Sequence, residues 1–120
     1  MWIYDAQTLA FLGVNDAAVE HYGYSVEEFL AMQILDIRPR SDVPKFLDYV
    51  DRMRTQTHSY SGEWQHCKRD GTVIDVEITS RAIDWSGIVA RCVLVKDITE
   101  RKRTERLLAD YSQKIGRAHV

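Results

Sequence analysis

From Gly62 to Lys96 the chain alternates between apolar and polar positions. Trp64 and His66 share one side of a run whose other side carries Glu63, Gln65 and Cys67, and Ile74, Val76 and Ile78 alternate with Asp75, Glu77 and Thr79. Successive strand residues point to opposite faces, so both runs predict strands with one buried and one wet face. Lys68-Arg69-Asp70-Gly71-Thr72 lies between them, and Asp-Gly tolerates positive φ at both centres of a type I′ turn, which predicts a tight hairpin. A second turn around Trp85-Ser86-Gly87 leads into Ile88 to Lys96, apolar on both faces except for Arg91 and Lys96. Near the N-terminus, Trp2 to Tyr4 and Leu9 to Val14 are short apolar runs parted by Asp5-Ala6-Gln7, and they predict another hairpin.

The segments between these strands have helical punctuation. Asn15 is the expected N-cap of Ala17 to Tyr22, which Gly23 ends. Ser25-Val26-Glu27-Glu28 has the form of a capping box opening a helix that ends near Met32. Ile34 to Ile37 predicts a single turn before Pro39. Ser41-Asp42 is expected to cap a longer helix whose apolar stripe is Val43, Phe46, Leu47, Val50 and Met53, with Asp48, Asp51, Arg52 and Arg54 off it. Thr55 to Ser61 reads as a polar connection. Thr99 is expected to cap a last helix, Glu100 suits the positive end of its dipole, and Leu107 or Leu108, Tyr111 and Ile115 continue one stripe. Gly116 to Val120 carries no pattern. Strands first and last around a block of short helices imply an α+β domain, a curved antiparallel sheet with helices on one face.

Composition narrows the class without naming a chemistry. A chain of 120 residues with 45% apolar residues can bury one core without disulfide staples. A net charge of −2 provides no basic field for nucleic acid, and Arg101, Lys102, Arg103 and Arg106 read as a solvated helix face. No apolar run approaches the roughly 20 residues that a membrane helix needs, and the N-terminus lacks a signal peptide's basic region and apolar core. Cys67 and Cys92 show no metal spacing and read as reduced thiols, which points to the cytoplasm. A strand-like Trp2-Ile3-Tyr4 directly after Met1 suggests a piece of a longer protein. There is no Gly-rich phosphate loop, nucleophile elbow or His/Cys cluster. Glu63, Asp75 and Glu77 on outer strand faces read as solvation rather than acid–base groups, so no enzyme is expected in this segment.

Gly62-Glu63-Trp64, Lys68-Arg69-Asp70-Gly71 and the closing Asp97-Ile98-Thr99-Glu100-Arg101 resemble the PAS sensory domain, and Val14-Asn15-Asp16-Ala17-Ala18, Tyr22-Gly23-Tyr24-Ser25 and Glu27-Glu28-Phe29-Leu30 are similar to its first helices. The resemblance covers roughly residues 3 to 103. It implies a five-stranded antiparallel sheet with short helices on one face, a PAS domain over residues 1–99 and an exit helix and tail over 100–120. It also implies a cavity walled by Ile34, Phe46, Val50, Trp64, His66, Ile74, Val76, Ile78, Val93 and Val95, with His66 and Asn15 able to orient a small ligand. The same stripe facing the same sheet reads equally as a filled core.

Haem-binding members generally carry a histidine on the long helix or the next strand. Val43 to Met53 has none, His58 falls in the connection, and His66 reads better as a hydrogen-bonded core histidine; His21 is expected to be exposed. Ile34 stands where photoactive flavin-binding members carry their reactive cysteine, which argues against that chemistry. The family's Asp-Ile-Thr corner, here Asp97, Ile98 and Thr99, couples sheet to outgoing helix, with Arg101 the nearest basic partner for the aspartate. The reading is thus a sensory module of a bacterial-type signalling protein such as a two-component histidine kinase or a diguanylate cyclase, with a homodimer expected through the exit helix. A ligand-free docking and dimerisation module and a haem or flavin redox sensor are the alternatives.

Overall fold

The alternation of the last three strands closes one continuous sheet. A computed structural model of the chain describes residues 1–54 and 59–118, with side chains to Ile115. Five strands, β1 (Trp2–Asp5), β2 (Phe11–Val14), β3 (Tyr60–Cys67), β4 (Val73–Trp85) and β5 (Ile88–Asp97), stand in the order β2-β1-β5-β4-β3, every neighbouring pair antiparallel. The N-terminal strand therefore lies inside the sheet between β2 and the central β5, with Trp2 opposite Val93 and Tyr4 opposite Arg91. Between β2 and β3 the chain forms α1 (Asp16–Tyr22), α2 (Val26–Leu30), two 3-10 turns at Ile34–Ile37 and Arg40–Asp42, and α3 (Val43–Met53). The last helix, α4 (Thr99–Ala118), runs away from the sheet and gives the molecule a long dimension of 63 Å against 31 and 22 Å.

Local chemistry sets these boundaries as expected in several places. Asn15 Oδ1 accepts from the Ala18 amide at 3.0 Å, and Gly23 adopts φ 85° to end α1. Ser25 and Glu28 satisfy each other's backbone amides, both at 3.1 Å, as a reciprocal capping box does. Other expectations shift. Helix α2 stops at Leu30 rather than Met32, and neither Ser41 nor Asp42 caps α3 through a side chain. A 3-10 turn feeds α3 instead, with Pro44 in the first turn, where the missing amide has no intrahelical partner to lose. The buried face of α3 is Phe46, Tyr49 and Val50 with Met53 half-buried, whereas Leu47 is exposed. That set follows the i, i+3, i+4, i+7 spacing of one helical face, which leaves Leu47 outside it.

The type I′ turn expected at Asp70-Gly71 falls instead in the second hairpin. Cys67 is the last residue of β3 to pair, with Val73, so five residues bridge that hairpin. The Gly71 amide donates to the Lys68 carbonyl at 3.0 Å and Gly71 alone has positive φ there, which is a type I turn closed by a left-handed glycine. In the second hairpin Trp85 pairs directly with Ile88, and the two residues between, Ser86 and Gly87, have φ of 51° and 86°. That two-residue connection with both φ positive is where the type I′ geometry falls.

The core forms between the helices and the concave face of the sheet. Phe29 is fully buried, edge-on to Phe11, Tyr22 and Tyr24 at centroid distances of 5.1, 6.3 and 5.5 Å. Outward-facing Leu94 of β5 is 56% exposed and makes no part of it. Phe29→Ala is therefore expected to lower unfolding free energy by about 3–5 kcal/mol, whereas Leu94→Ala changes it by less than about 0.5 kcal/mol. Urea melts that fail to separate the two variants would remove Phe29 from the centre of the core.

Candidate functional site

Strands β3, β4 and β5 present Trp64, His66, Ile74, Val76, Ile78 and Val93 to the interior, all buried, with Val95 half-buried. Ile34 of the first 3-10 turn and Phe46 and Val50 of α3 meet them from the helical side, also buried. All but His66 belong to or pack against one hydrophobic core cluster, and the His66 ring meets that cluster at Trp2 and Tyr22. Asn15 is not part of it: the residue is exposed, and its side-chain oxygen is occupied by the Ala18 amide and the N-terminal ammonium of Met1, at 3.0 and 3.1 Å. A cap at a surface helix start cannot also orient an interior ligand.

Polar groups thread this interior. His66 is fully buried, with Nδ1 2.7 Å from the Tyr22 hydroxyl and its ring 5.6 Å from that of Trp2. Burial holds the His66 imidazole well below its ordinary pKa, and the charge of Arg38 adds to the effect, so the ring is neutral. On the far side Arg91 donates to Ser80 Oγ through Nε at 3.1 Å and Nη2 at 3.0 Å, and the Tyr49 hydroxyl lies 3.4 Å from the same oxygen. Burial raises the phenol pKa of Tyr4, Tyr22 and Tyr49. Beside Tyr4 a pocket of about 190 Å³ opens between α3 and the sheet, lined in part by Val50, Met53, Ala82 and Arg91.

Arg38 is the residue that sequence patterning missed. It precedes Pro39 in a segment without periodicity, yet it is only 6% exposed, with its guanidinium carbon 3.6 Å from the centroid of Phe46 and 5.1 Å from that of Trp64. Burial brings its pKa down to about 10, which leaves it charged at neutral pH. The Tyr49 position was missed as well, although its spacing from Phe46 and Met53 carried the signal.

The second assembly is the strand-to-helix corner. Asp97 Oδ1 accepts from the Thr99 amide at 2.9 Å and from the Thr99 hydroxyl at 2.6 Å, while Oδ2 lies 2.7 Å from His21 Nε2 of α1. Burial works against ionisation of Asp97, but the two Thr99 hydrogen bonds and His21 outweigh it and lower its pKa. Ile98 is buried, and its amide donates to the Asp75 carbonyl at 2.8 Å. The Thr99 hydroxyl also accepts from the Asp75 amide at 3.1 Å, so Thr99 serves the strand rather than capping α4, and Asp97 takes the free amide instead.

Arg101 does not reach Asp97. It donates to Glu63 Oε2 on β3 at 2.8 Å, next to Lys102 at 2.6 Å from Glu63 Oε1. The reason is geometric: both Asp97 oxygens are already engaged, and the first turn of α4 faces β3. His21 is exposed as expected but is the true partner of the aspartate. Expected readings of His58 lie outside the described residues. Among the described residues no three His, Cys, Asp or Glu side chains group as metal ligands, and no helix is long and apolar enough to cross a membrane.

A family model described as a PAS domain matches residues 1–100. The chain belongs to the PAS family. Over 105 residues this PAS domain is 30% identical to the "methyl sulfide methyltransferase-associated sensor" of Methanosarcina acetivorans, a match covering 88% of the chain and 10% of that protein, so the chain spans about a tenth of its curated relative. Its fold is similar to a "sensory box histidine kinase/response regulator" from Burkholderia thailandensis (TM-score 0.71, 20% identity, 97% of this chain and 88% of that one). It is also similar to the N-terminal domain of a "diguanylate cyclase with PAS/PAC sensor" from Marinobacter aquaeolei (TM-score 0.67, 12% identity, 84% and 95%).

The buried neutral histidine has a pH signature. Because the folded pKa of His66 lies below the ordinary value of about 6.5, the unfolded chain alone takes up a proton as pH falls through that value. Stability is full above about pH 6.5 and is expected to fall below it by up to about 1.4 kcal/mol per pH unit from this group. Denaturant melts between pH 7.5 and 5 should show that slope in the native chain and its reduction in His66→Gln; equal slopes would mean that His66 protonates freely in the fold.

Proposed function

We propose that this PAS domain is a sensory module that binds a small ligand in the core between α3 and the sheet and relays the change through Asp97, Ile98 and Thr99 to an output domain. The observation that carries this is the wiring of the corner. Asp75 of β4, Thr99 and Asp97 share a set of hydrogen bonds, and the start of α4 leans on β3 through Glu63. A ligand that shifts the inner side chains of β3 or β4 changes the strands that seat α4, and a ligand favouring one seat over the other shifts the population between them. The parent in this reading is a cytoplasmic signalling protein with a kinase or cyclic-dinucleotide output, and this segment performs no catalysis itself. Asp97→Ala in the full-length parent is expected to uncouple stimulus from output while leaving the fold of this domain intact by circular dichroism. Stimulus-dependent output identical to that of the native protein would remove the corner from the relay.

A second reading, a docking and dimerisation module, draws on α4. Leu107, Leu108, Tyr111 and Ile115 are exposed at helical spacing on one rod. Under this reading a homodimer forms through that stripe, and sedimentation equilibrium is expected to show a mass rising toward twice 13.9 kDa with concentration, reversed by Leu108→Lys with Tyr111→Lys. A monomer at every concentration tested would exclude self-association through this stripe.

A further inference from the structure

The exit corner has a titratable neighbour that the relay described above does not use. His21 Nε2 lies 2.7 Å from Asp97 Oδ2, across 76 positions of sequence, and joins the last turn of α1 to the carboxylate that opens α4. The ring is held in place from inside. Tyr22, the next residue, is buried with its hydroxyl 2.7 Å from His66 Nδ1, and the His21 and Tyr22 rings meet edge-on at 5.6 Å. The Arg69 amide of the β3–β4 turn donates to the Tyr22 carbonyl at 2.9 Å, which fixes the end of α1 from a second side. Water still reaches the pair, since the His21 side chain is 40% exposed and that of Asp97 31%. A proton can therefore come and go without any opening of the core.

Asp97 divides its oxygens between two tasks. Oδ1 takes the Thr99 amide and hydroxyl at the start of α4, and Oδ2 takes His21. Partial burial disfavours the Asp97 carboxylate, but the Thr99 hydrogen bonds and His21 outweigh it, so the charge is kept. Histidine is the side-chain type whose ordinary charge change falls between pH 5 and 8. With both partners ionised, the contact gains a Coulomb attraction that a neutral ring lacks. The other charged groups facing the ring are the Met1 ammonium from β1, Glu20 from α1, and Lys68, Arg69 and Asp70 from the β3–β4 turn. Arg69 is turned to Glu28 at 3.1 Å, and among the described residues Asp97 is the one that hydrogen-bonds the ring. We propose that His21 is a proton-controlled clasp on the exit helix: with its ring protonated it binds α1 to Asp97 and steadies the first turn of α4, and with its ring neutral it lets the corner loosen. For its effect on output this rests on the relay reading above, to which it adds acidity as a second input. The clasp runs opposite to His66, whose neutral burial makes the whole fold less stable in acid. Acid tightens the exit while it weakens the core.

Amide exchange followed by NMR on the 120-residue chain, at about pH 5.5 and 7.5 on either side of the ordinary histidine value and normalised to an unstructured chain at each pH, tests the clasp. The reporter is the Lys102 amide, which donates to the Ile98 carbonyl at 2.9 Å and closes the first turn of α4. Its protection is expected to be about two- to fivefold higher at the lower pH, the range that an exposed ion pair supplies. In His21→Gln the two values should be equal. Asp97→Asn keeps an acceptor for Thr99 and removes the charge, so its protection should be equally flat. The Met1 ammonium, whose pKa burial lowers toward this range, is intact in both variants. A pH step that survives in either variant therefore belongs to another group and overturns the proposal, as does the absence of a step in the native chain. The outcome is separable from the relay itself. A step in the native chain, beside an Asp97→Ala parent with unchanged output, keeps the clasp and removes the relay, whereas a corner that relays without the step removes the clasp alone.

Discussion

Three strand-to-strand steps separate β1 from β3, about 14 Å in a flat sheet, yet the rings of Trp2 and His66 meet at 5.6 Å. The rest of the structure depends on that curl. It brings the inner faces of opposite halves of the sheet onto one aromatic cluster, in which Trp2, Tyr22 and His66 touch in pairs. It also sets the size of what lies beneath the helices. With Phe29, Phe46, Ile34 and Ile37 at 1% exposure or less, the concave side is filled by rings and branched chains rather than by a wide chamber. Polar groups survive there because most of them have partners within reach, His66 with Tyr22 and Arg91 with Ser80.

The corner at the end of β5 belongs to the same mechanical unit. Val76 pairs with Asp97, one step before the place where Asp75 holds Ile98 and Thr99. The last strand is therefore tied to β4 until the moment the helix begins. His21 links the same aspartate to α1, so the corner is tied to the helical layer as well as to the sheet. A displacement on either layer has a short covalent and hydrogen-bonded path to α4, which is the physical basis for reading the domain as a relay.

Much of this was legible in the chain. Period-two alternation marked β3, β4 and β5 and assigned Trp64, His66, Val76 and Ile78 to the inner face; the capping box and Gly23 bounded the first helices. The failures share a cause. Whether Asp70-Gly71 or Ser86-Gly87 forms the two-residue turn depends on where pairing stops, at Cys67 and Trp85, and register is a property of two strands together. Arg38 looks like a loop residue because its burial comes from Phe46 and Trp64, distant in sequence. His21 and Asp97 stand 76 positions apart and no local signal joins them. Asn15 was placed in the interior by analogy, whereas its own capping chemistry, visible in the sequence, already accounted for it.

One consequence concerns the medium. Helix α4 is seated on the sheet by Glu63 with Arg101 and Lys102, and by Asp75 with Arg106 at 3.6 Å, rather than by an apolar interface. Pairs of this exposed kind are individually weak and are screened by dissolved ions over about 8 Å at physiological strength. The stiffness of the joint is thus set partly by the electrolyte around it: dilute buffer clamps the rod to the sheet, and brine loosens the hinge without touching the core.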